Sequence, residues 1–215
     1  LAPGVYSDPE FTTVRNFRRA LEIIRESVTE DTFLLACTAP LAPAAGLVDG
    51  MRVSCDVFER WESLRDVFNS VLKRYYTNGV YYINDADCLL VRTAAEEDGE
   101  CWRLCTRTDA EIRTYVTAMA ASGGALMLSD KMSLLRPEQY ELISKLFPLN
   151  TRAAVPLDLM DSFIPGVLDF GVRHGARTVA LINWGDAECE FTVSDSAGKL
   201  AFEFWSRRFC GLQVA

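Results

Sequence analysis

Histidine is nearly missing from this chain: His174 is the only one in 215 residues. A Ser-His-Asp site needs an imidazole to carry the proton, and no Gly-x-Ser-x-Gly elbow occurs, so serine-nucleophile chemistry has little to build on. His174 itself lies in Arg173-His174-Gly175, a turn signal. The same scarcity argues against zinc: Cys101 and Cys105 could pair or ligate, but no second closely spaced cysteine pair completes a tetrahedral set. Basic charge is also short, with 22 Lys and Arg against 30 Asp and Glu and a net charge of −8. That balance excludes a phosphate-binding surface for nucleic acid. No apolar run reaches the roughly 18 residues of a membrane-crossing helix, and no basic-then-apolar leader opens the chain. Gly-x-Gly-x-x-Gly and Walker loops are absent. Gly123-Gly124 precedes its predicted strand rather than following it. Internal repeats and low-complexity tracts are missing as well. The chain opens on Leu1 rather than Met, which points to a processed or truncated chain.

What remains is an ordinary globular composition, 49% hydrophobic and 24% charged. The seven cysteines are an odd number. Cys37, Cys55 and Cys88 lie in apolar, strand-like runs, which predicts buried reduced thiols in a cytoplasmic protein.

Periodicity alternates between helix and strand. Apolar residues at Val14, Phe17, Leu21, Ile24 and Val28 predict an amphipathic helix over 12–28. The run 32–37 reads as a strand buried on both faces, followed by an Ala- and Pro-rich loop and a second strand over 50–55. Helical spacing returns over 60–76, with Trp61, Leu64, Val67, Phe68, Val71 and Leu72 on one face. A third strand over 80–83 would then close on Asn84-Asp85-Ala86-Asp87, and 93–99 would be a solvated acidic loop. A helix over 110–121, a strand over 125–128 and a helix from Pro137 to about Phe147 follow. Beyond Pro148 the short runs 155–157, 167–172, 178–183, 189–193 and 200–205 read as antiparallel strands. Four strand-helix units need either a small open parallel sheet or half of a barrel, since a full one takes about 250 residues.

Arg52 and Asp56 are the first residues to weigh. Parallel sheets offer ligands at the C-terminal ends of their strands, where Asp56 falls. Four residues apart on an extended strand is about 13 Å, but a loop folding back beyond Arg52 would bring the two together. A structural ion pair is the competing reading. Asn84, Asp85 and Asp87 could hold a cation or a sugar hydroxyl, or merely form a turn. Ser129-Asp130 is equally open.

Five ordered segments carry a more specific signal. They are Asp31-Thr32-Phe33-Leu34-Leu35-Ala36-Cys37-Thr38, Asp49-Gly50-Met51-Arg52-Val53-Ser54-Cys55-Asp56-Val57, Asn84-Asp85-Ala86-Asp87-Cys88-Leu89-Leu90-Val91-Arg92, Ser122-Gly123-Gly124-Ala125-Leu126-Met127-Leu128-Ser129-Asp130 and Ala180-Leu181-Ile182-Asn183-Trp184-Gly185-Asp186. In this order they resemble the melibiase-type α-galactosidases. The resemblance implies an α/β fold: residues 1–150 as the C-terminal half of a (β/α)8 TIM barrel, strands five to eight, and 151–215 as an incomplete antiparallel β-sandwich-like region. It further implies a retaining glycoside hydrolase acting on terminal α-galactosides. Asp56 would be the general acid/base. Arg52, Cys37 and Thr38 would meet the sugar, while Asp49, Asn84, Asp85 and Asp87 would support the site. Thr38 and Ala86 depart from the family pattern, where a carboxylate and a proline are usual.

The family's nucleophile, in a Lys-x-Asp segment, has no counterpart in this chain. Retaining hydrolysis needs two carboxylates, so the expectation is a chain inactive alone. It would self-associate or pair with an N-terminal half-barrel fragment. Neither cofactor nor metal is implied. A related α-N-acetylgalactosaminidase or raffinose-synthase-like enzyme, or a non-catalytic carbohydrate-binding protein, are the alternatives.

Overall fold

A computed structural model describes residues 4–6, 8, 10–93, 106–193 and 200–210. The chain divides into two compact units, 1–184 and 185–215. The first holds a four-stranded parallel sheet in the order β1-β2-β3-β4. Its elements are α1 (Thr13–Glu26), β1 (Leu35–Ala36), α2 (Leu41–Ala44), β2 (Gly50–Arg52), α3 (Trp61–Lys73), β3 (Ile83–Leu89), α4 (Asp109–Ser122), β4 (Ala125–Leu128) and α5 (Pro137–Ser144). The alternation of helix and strand read from periodicity is this order except at α2, four residues of helix in the run read as an Ala- and Pro-rich loop.

Local chemistry sets the helix ends. The Thr12 hydroxyl accepts the Arg15 amide at 3.2 Å and starts α1. At α4 the Thr108 and Glu111 side chains form a reciprocal capping box. Gly123, at φ +63°, ends α4 in the left-handed conformation. A Cβ there would sit 2.2 Å from the Arg152 carbonyl carbon, so only glycine fits this close approach.

The core lies between α3, α4 and one face of β3. Leu64, Val67, Phe68, Val71 and Leu72 of α3 meet Ile112, Tyr115, Val116 and Met119 of α4 there. Phe68 and Tyr115 touch edge to face at 5.7 Å. Burial pushes the Tyr115 hydroxyl pKa up, and that hydroxyl donates to the Cys88 carbonyl. Met51 and Asn84 pair across β2 and β3 and are buried.

The opposite face of the sheet is open. Phe33, Leu35 and Ile83 lie on it and are 53%, 42% and 43% exposed. A Cβ on Gly50 would come within 2.9 Å of the Phe33 and Leu35 side chains, which confirms that these residues share the face. The expectation of a first strand buried on both faces is therefore corrected: β1 is an edge strand with its outer neighbours in solvent. The cysteine expectation is corrected for a related reason. Cys37 and Cys55 are exposed because they lie in the loops that follow β1 and β2, while Cys88, inside β3, is half-buried; all three are free thiols. Cys101, Cys105 and the acidic loop after Thr93 lie outside the described residues.

The third strand is shifted relative to its prediction. Residues 78–82 turn instead, with the Gly79 amide bonded to the Tyr82 carbonyl at 2.9 Å. Asn84 to Asp87 consequently lie inside β3 rather than after it. Polar residues survive in a strand interior here because each is bonded, as detailed below.

Residues 155–181 form an antiparallel sheet, β5 (Val155–Pro156), β6 (Val167–Arg173) and β7 (Ala176–Leu181). The predicted change from parallel to antiparallel pairing thus falls between β4 and β5, inside the first compact unit. His174 and Gly175, at φ +50° and +78°, make the two-residue β6–β7 hairpin, and His174 is an exposed turn residue. Trp184 stacks on Trp61 at 5.6 Å and donates to the Pro165 carbonyl at 2.9 Å. The second unit contains the hairpin β8 (Ala201–Glu203) and β9 (Arg208–Cys210). The strand predicted over 189–193 does not form; that alternating run has no partner strand among the described residues.

Candidate active site

Arg52 ends β2 on the open face, and three carboxylates converge on it. Its Nε donates to Asp85 Oδ2 at 2.9 Å, its Nη2 lies 2.9 Å from Asp87 Oδ1, and its Nη1 donates to Asp56 Oδ1 at 3.3 Å. Exposure grades the three: the side chains of Asp85, Asp87 and Asp56 are 0%, 10% and 73% accessible. Burial alone would lower the Arg52 pKa, but the bond to Asp85 and the charges of Asp85 and Asp87 outweigh it, and the guanidinium is held above its ordinary value. A guanidinium has five N–H groups in a fixed fork. Two donate here, Nε to Asp85 and Nη1 to Asp56, while Nη2 forms an ion pair with Asp87.

A β-bulge builds this cluster. Register between β3 and β4 shifts between Asp85 and Cys88, and Asp87 takes φ +74°. Asp85 Oδ1 accepts the Asp87 amide at 2.8 Å, and Asp87 Oδ1 accepts the Cys88 amide at 2.7 Å, so the irregular backbone is bonded by the same carboxylates. Asp87 Oδ2 also accepts the Val57 amide at 2.7 Å, tying down the loop that carries Asp56.

Cys37 and Thr38 follow the C-terminal end of β1, and Cys37 is close enough to Arg52 to interact with it electrostatically. Their side chains are 3.7 Å apart, with Thr38 at φ +54°. The remaining predicted residues lie elsewhere. Asn84 points to the helix-covered side, where its Oδ1 accepts from the Thr77 hydroxyl at 2.8 Å and its Nδ2 donates to the Arg74 carbonyl at 3.2 Å. Asp49 precedes β2, at the opposite end of the sheet. There it accepts from the Leu34 amide at 2.7 Å and Arg25 at 2.9 Å. Of the four residues expected to support the site, Asp85 and Asp87 reach Arg52, whereas strand alternation sends Asn84 to the other face and Asp49 lies at the far end of the sheet.

A second ion-pair cluster contains Asp130, left open in the sequence, together with Arg92 and Glu59, which the sequence did not mark. Arg92, after β3, lies 3.0 Å from Glu59 and 3.2 Å from Asp130, and Asp130 also accepts the Val91 amide at 2.6 Å. Arg92 and Asp130 both follow strand runs directly, the positional signal that first drew attention to Asp56. Among the described residues no group of three or more His, Cys, Asp and Glu is arranged to hold a metal ion. A crevice lined by Met119, Gly124, Leu126 and Asn150 has room for about one water (≈ 10 Å³) and lies at the other end of β4, so it is no sugar site.

No family model matches the chain. Two solved structures of TtGalA, the alpha-galactosidase from Thermus thermophilus, resemble it. The complex with p-nitrophenyl alpha-D-galactopyranoside matches with a TM-score of 0.52 and 25% identity, over 64% of this chain and 29% of that one. The complex with stachyose matches with a TM-score of 0.52 and 26% identity, over 62% and 30%. The chain therefore spans less than a third of the length of those structures, and the likeness is that of a glycoside-hydrolase-like fold.

Proposed function

We propose that this chain is the proton-shuttling part of an α-galactosidase-like retaining glycoside hydrolase, with 1–150 as half of a (β/α)8 barrel and 151–215 as the start of a β-rich region. The observation that carries the reading is the exposed carboxylate of Asp56, placed just past a parallel strand and 3.3 Å from a guanidinium that two buried aspartates hold still. Asp56 protonates the leaving oxygen of a terminal α-galactoside and later takes the proton of the attacking water. The terminal nitrogens of Arg52 face ring hydroxyls, and Cys37 and Thr38, after β1, line the same sugar. Asp85 and Asp87 hold Arg52, while Asn84 and Asp49 hold the strands. This chemistry uses no metal or organic cofactor.

A retaining mechanism needs a second carboxylate about 5–5.5 Å from the first. Asp85 and Asp87 are engaged with Arg52 and backbone amides, and no Lys-x-Asp segment occurs in the chain. The chain by itself therefore binds but does not turn over. The free thiols support a reducing, cytoplasmic setting, and no helix among the described residues is long and apolar enough to cross a membrane.

The test is a titration of the pure chain with galactose, followed by NMR. Shifts centred on Asp56, Arg52 and Thr38, and weaker with glucose, are expected; shifts elsewhere or none overturn the reading. Release of nitrophenol from a nitrophenyl α-galactoside, abolished by Asp56→Asn, would keep the enzyme class and refute the inactivity.

A further inference from the structure

Asp87 is bound at three points, and two of them bear on Asp56 from opposite sides. Its Oδ2 accepts the amide of Val57, the residue next to Asp56, at 2.7 Å. Its Oδ1 lies 2.9 Å from Arg52 Nη2, and Arg52 Nη1 is the group that meets the Asp56 carboxylate. The third bond, from the Cys88 amide, closes the bulge in which Asp87 takes its positive φ. Val57 is a buried anchor, whereas the side chain of Asp56 is mostly exposed and, among the described residues, is bonded to Arg52. One carboxylate thus fixes both the backbone of the Asp56 loop and the cation that Asp56 faces.

We propose that Asp87 is the positioning residue for Asp56, acting through the Val57 amide and through Arg52 rather than by touching substrate. The proposal rests on the reading of Asp56 as the proton shuttle, yet its structural core can be measured without it. The Asp85 side chain acts differently: it grips Arg52 and the Asp87 amide, while the residue meets the start of the loop through its backbone carbonyl, which accepts the Val53 amide at 3.0 Å.

Three variants of the whole chain test this. Asp87→Asn keeps the shape and one acceptor but loses the charge; Asp87→Ala loses every bond. Asp49→Asn weakens a comparable carboxylate anchor at the far end of the sheet and serves as the control. Hydrogen exchange at the Val57 amide should accelerate about 10- to 100-fold in Asp87→Ala, the scale of one lost charge-assisted bond. It should accelerate less in Asp87→Asn and not at all in Asp49→Asn. Protection of the β2–β3 ladder amides should stay as in the parent chain. The Arg52 side-chain NMR signals should move in both Asp87 variants, and the galactose-induced shift at Asp56 should weaken in the same order.

Unchanged Val57 exchange in folded Asp87→Ala overturns the proposal. If Asp87→Ala does not fold, Asp87→Asn decides. Loss of the β2–β3 ladder in that variant as well would make Asp87 a fold element and not a positioning residue. Should galactose fail to bind even the parent chain while Val57 and Arg52 respond as stated, the positioning role stands and the glycosidase reading falls.

Discussion

Arg52 and Asp85 face each other across β2 and β3, the guanidinium Nε donating to a carboxylate oxygen at 2.9 Å, and no part of the Asp85 side chain reaches solvent. A buried pair of this kind is a poor source of net stability, but removing one member strands the other charge. Arg52→Met should therefore cost about 3–5 kcal/mol in urea unfolding. The double variant Arg52→Met/Asp85→Leu should be more stable than Arg52→Met alone. Additive losses in that cycle would refute the coupling.

Asp49 predicts an acid-limb effect. The Leu34 amide holds its carboxyl below the usual carboxylate range, against the opposing pull of burial and with help from Arg25. A carboxyl depressed on folding stabilises fully above its unfolded value, about 3.9, and loses that contribution as pH falls through the lower folded value. Asp49→Asn should lower Tm near neutral pH, and the gap to the parent chain should shrink below about pH 4. The side chain is 42% exposed, so the gap is small and narrows further in salt.

Gly124 opens β4 against the backbone of β3. A Cβ there would sit 2.0 Å from the Asn84 carbonyl oxygen, with no side chain free to yield. Gly124→Ala should destabilise by at least about 1–3 kcal/mol, the range of overpacked cores, and should move the Asn84 and Thr77 signals. Gly46→Ala, at φ +79° but with open space around it, should cost only its backbone strain, about 1 kcal/mol.

The open apolar face predicts association. Phe33, Leu35 and Ile83 are half-exposed on one surface, and β1 and β4 each have one paired side among the described strands. Such edges and faces attract partners. Light scattering should detect concentration-dependent oligomers of the chain, reduced by Leu35→Lys. A monodisperse monomer at all concentrations would contradict this.

Helices α1 and α3 were readable from their 3.6-residue stripes, and α4 and α5 from the end signals at Gly123 and Pro137, whereas α2, four residues in an Ala- and Pro-rich run, reads as a loop. The strand core of β3 was not readable. Asn84, Asp85 and Asp87 look like turn residues in isolation; the strand placement of Asp85 and Asp87 depends on Arg52, more than thirty positions away, and that of Asn84 on Thr77 and Arg74. Arg52 and Asp56 were legible as a pair since strand polarity and a short spacing constrain both. That Asn84 faces the helices was not legible, because a strand read as ending at Ile83 gives Asn84 no alternation to follow. The apolar run at β1 likewise signals a strand but says nothing of which neighbours cover it.

The bulge in β3 gives one added residue a place in the ion-pair cluster. It lets both Asp85 and Asp87 reach the guanidinium while Leu89 turns back into the interior. Deleting a single residue there would put the downstream strand out of phase. The cation would then lose one of its buried carboxylates, and the loop after β2 its anchor, although Arg52 and Asp56 both remained in the sequence.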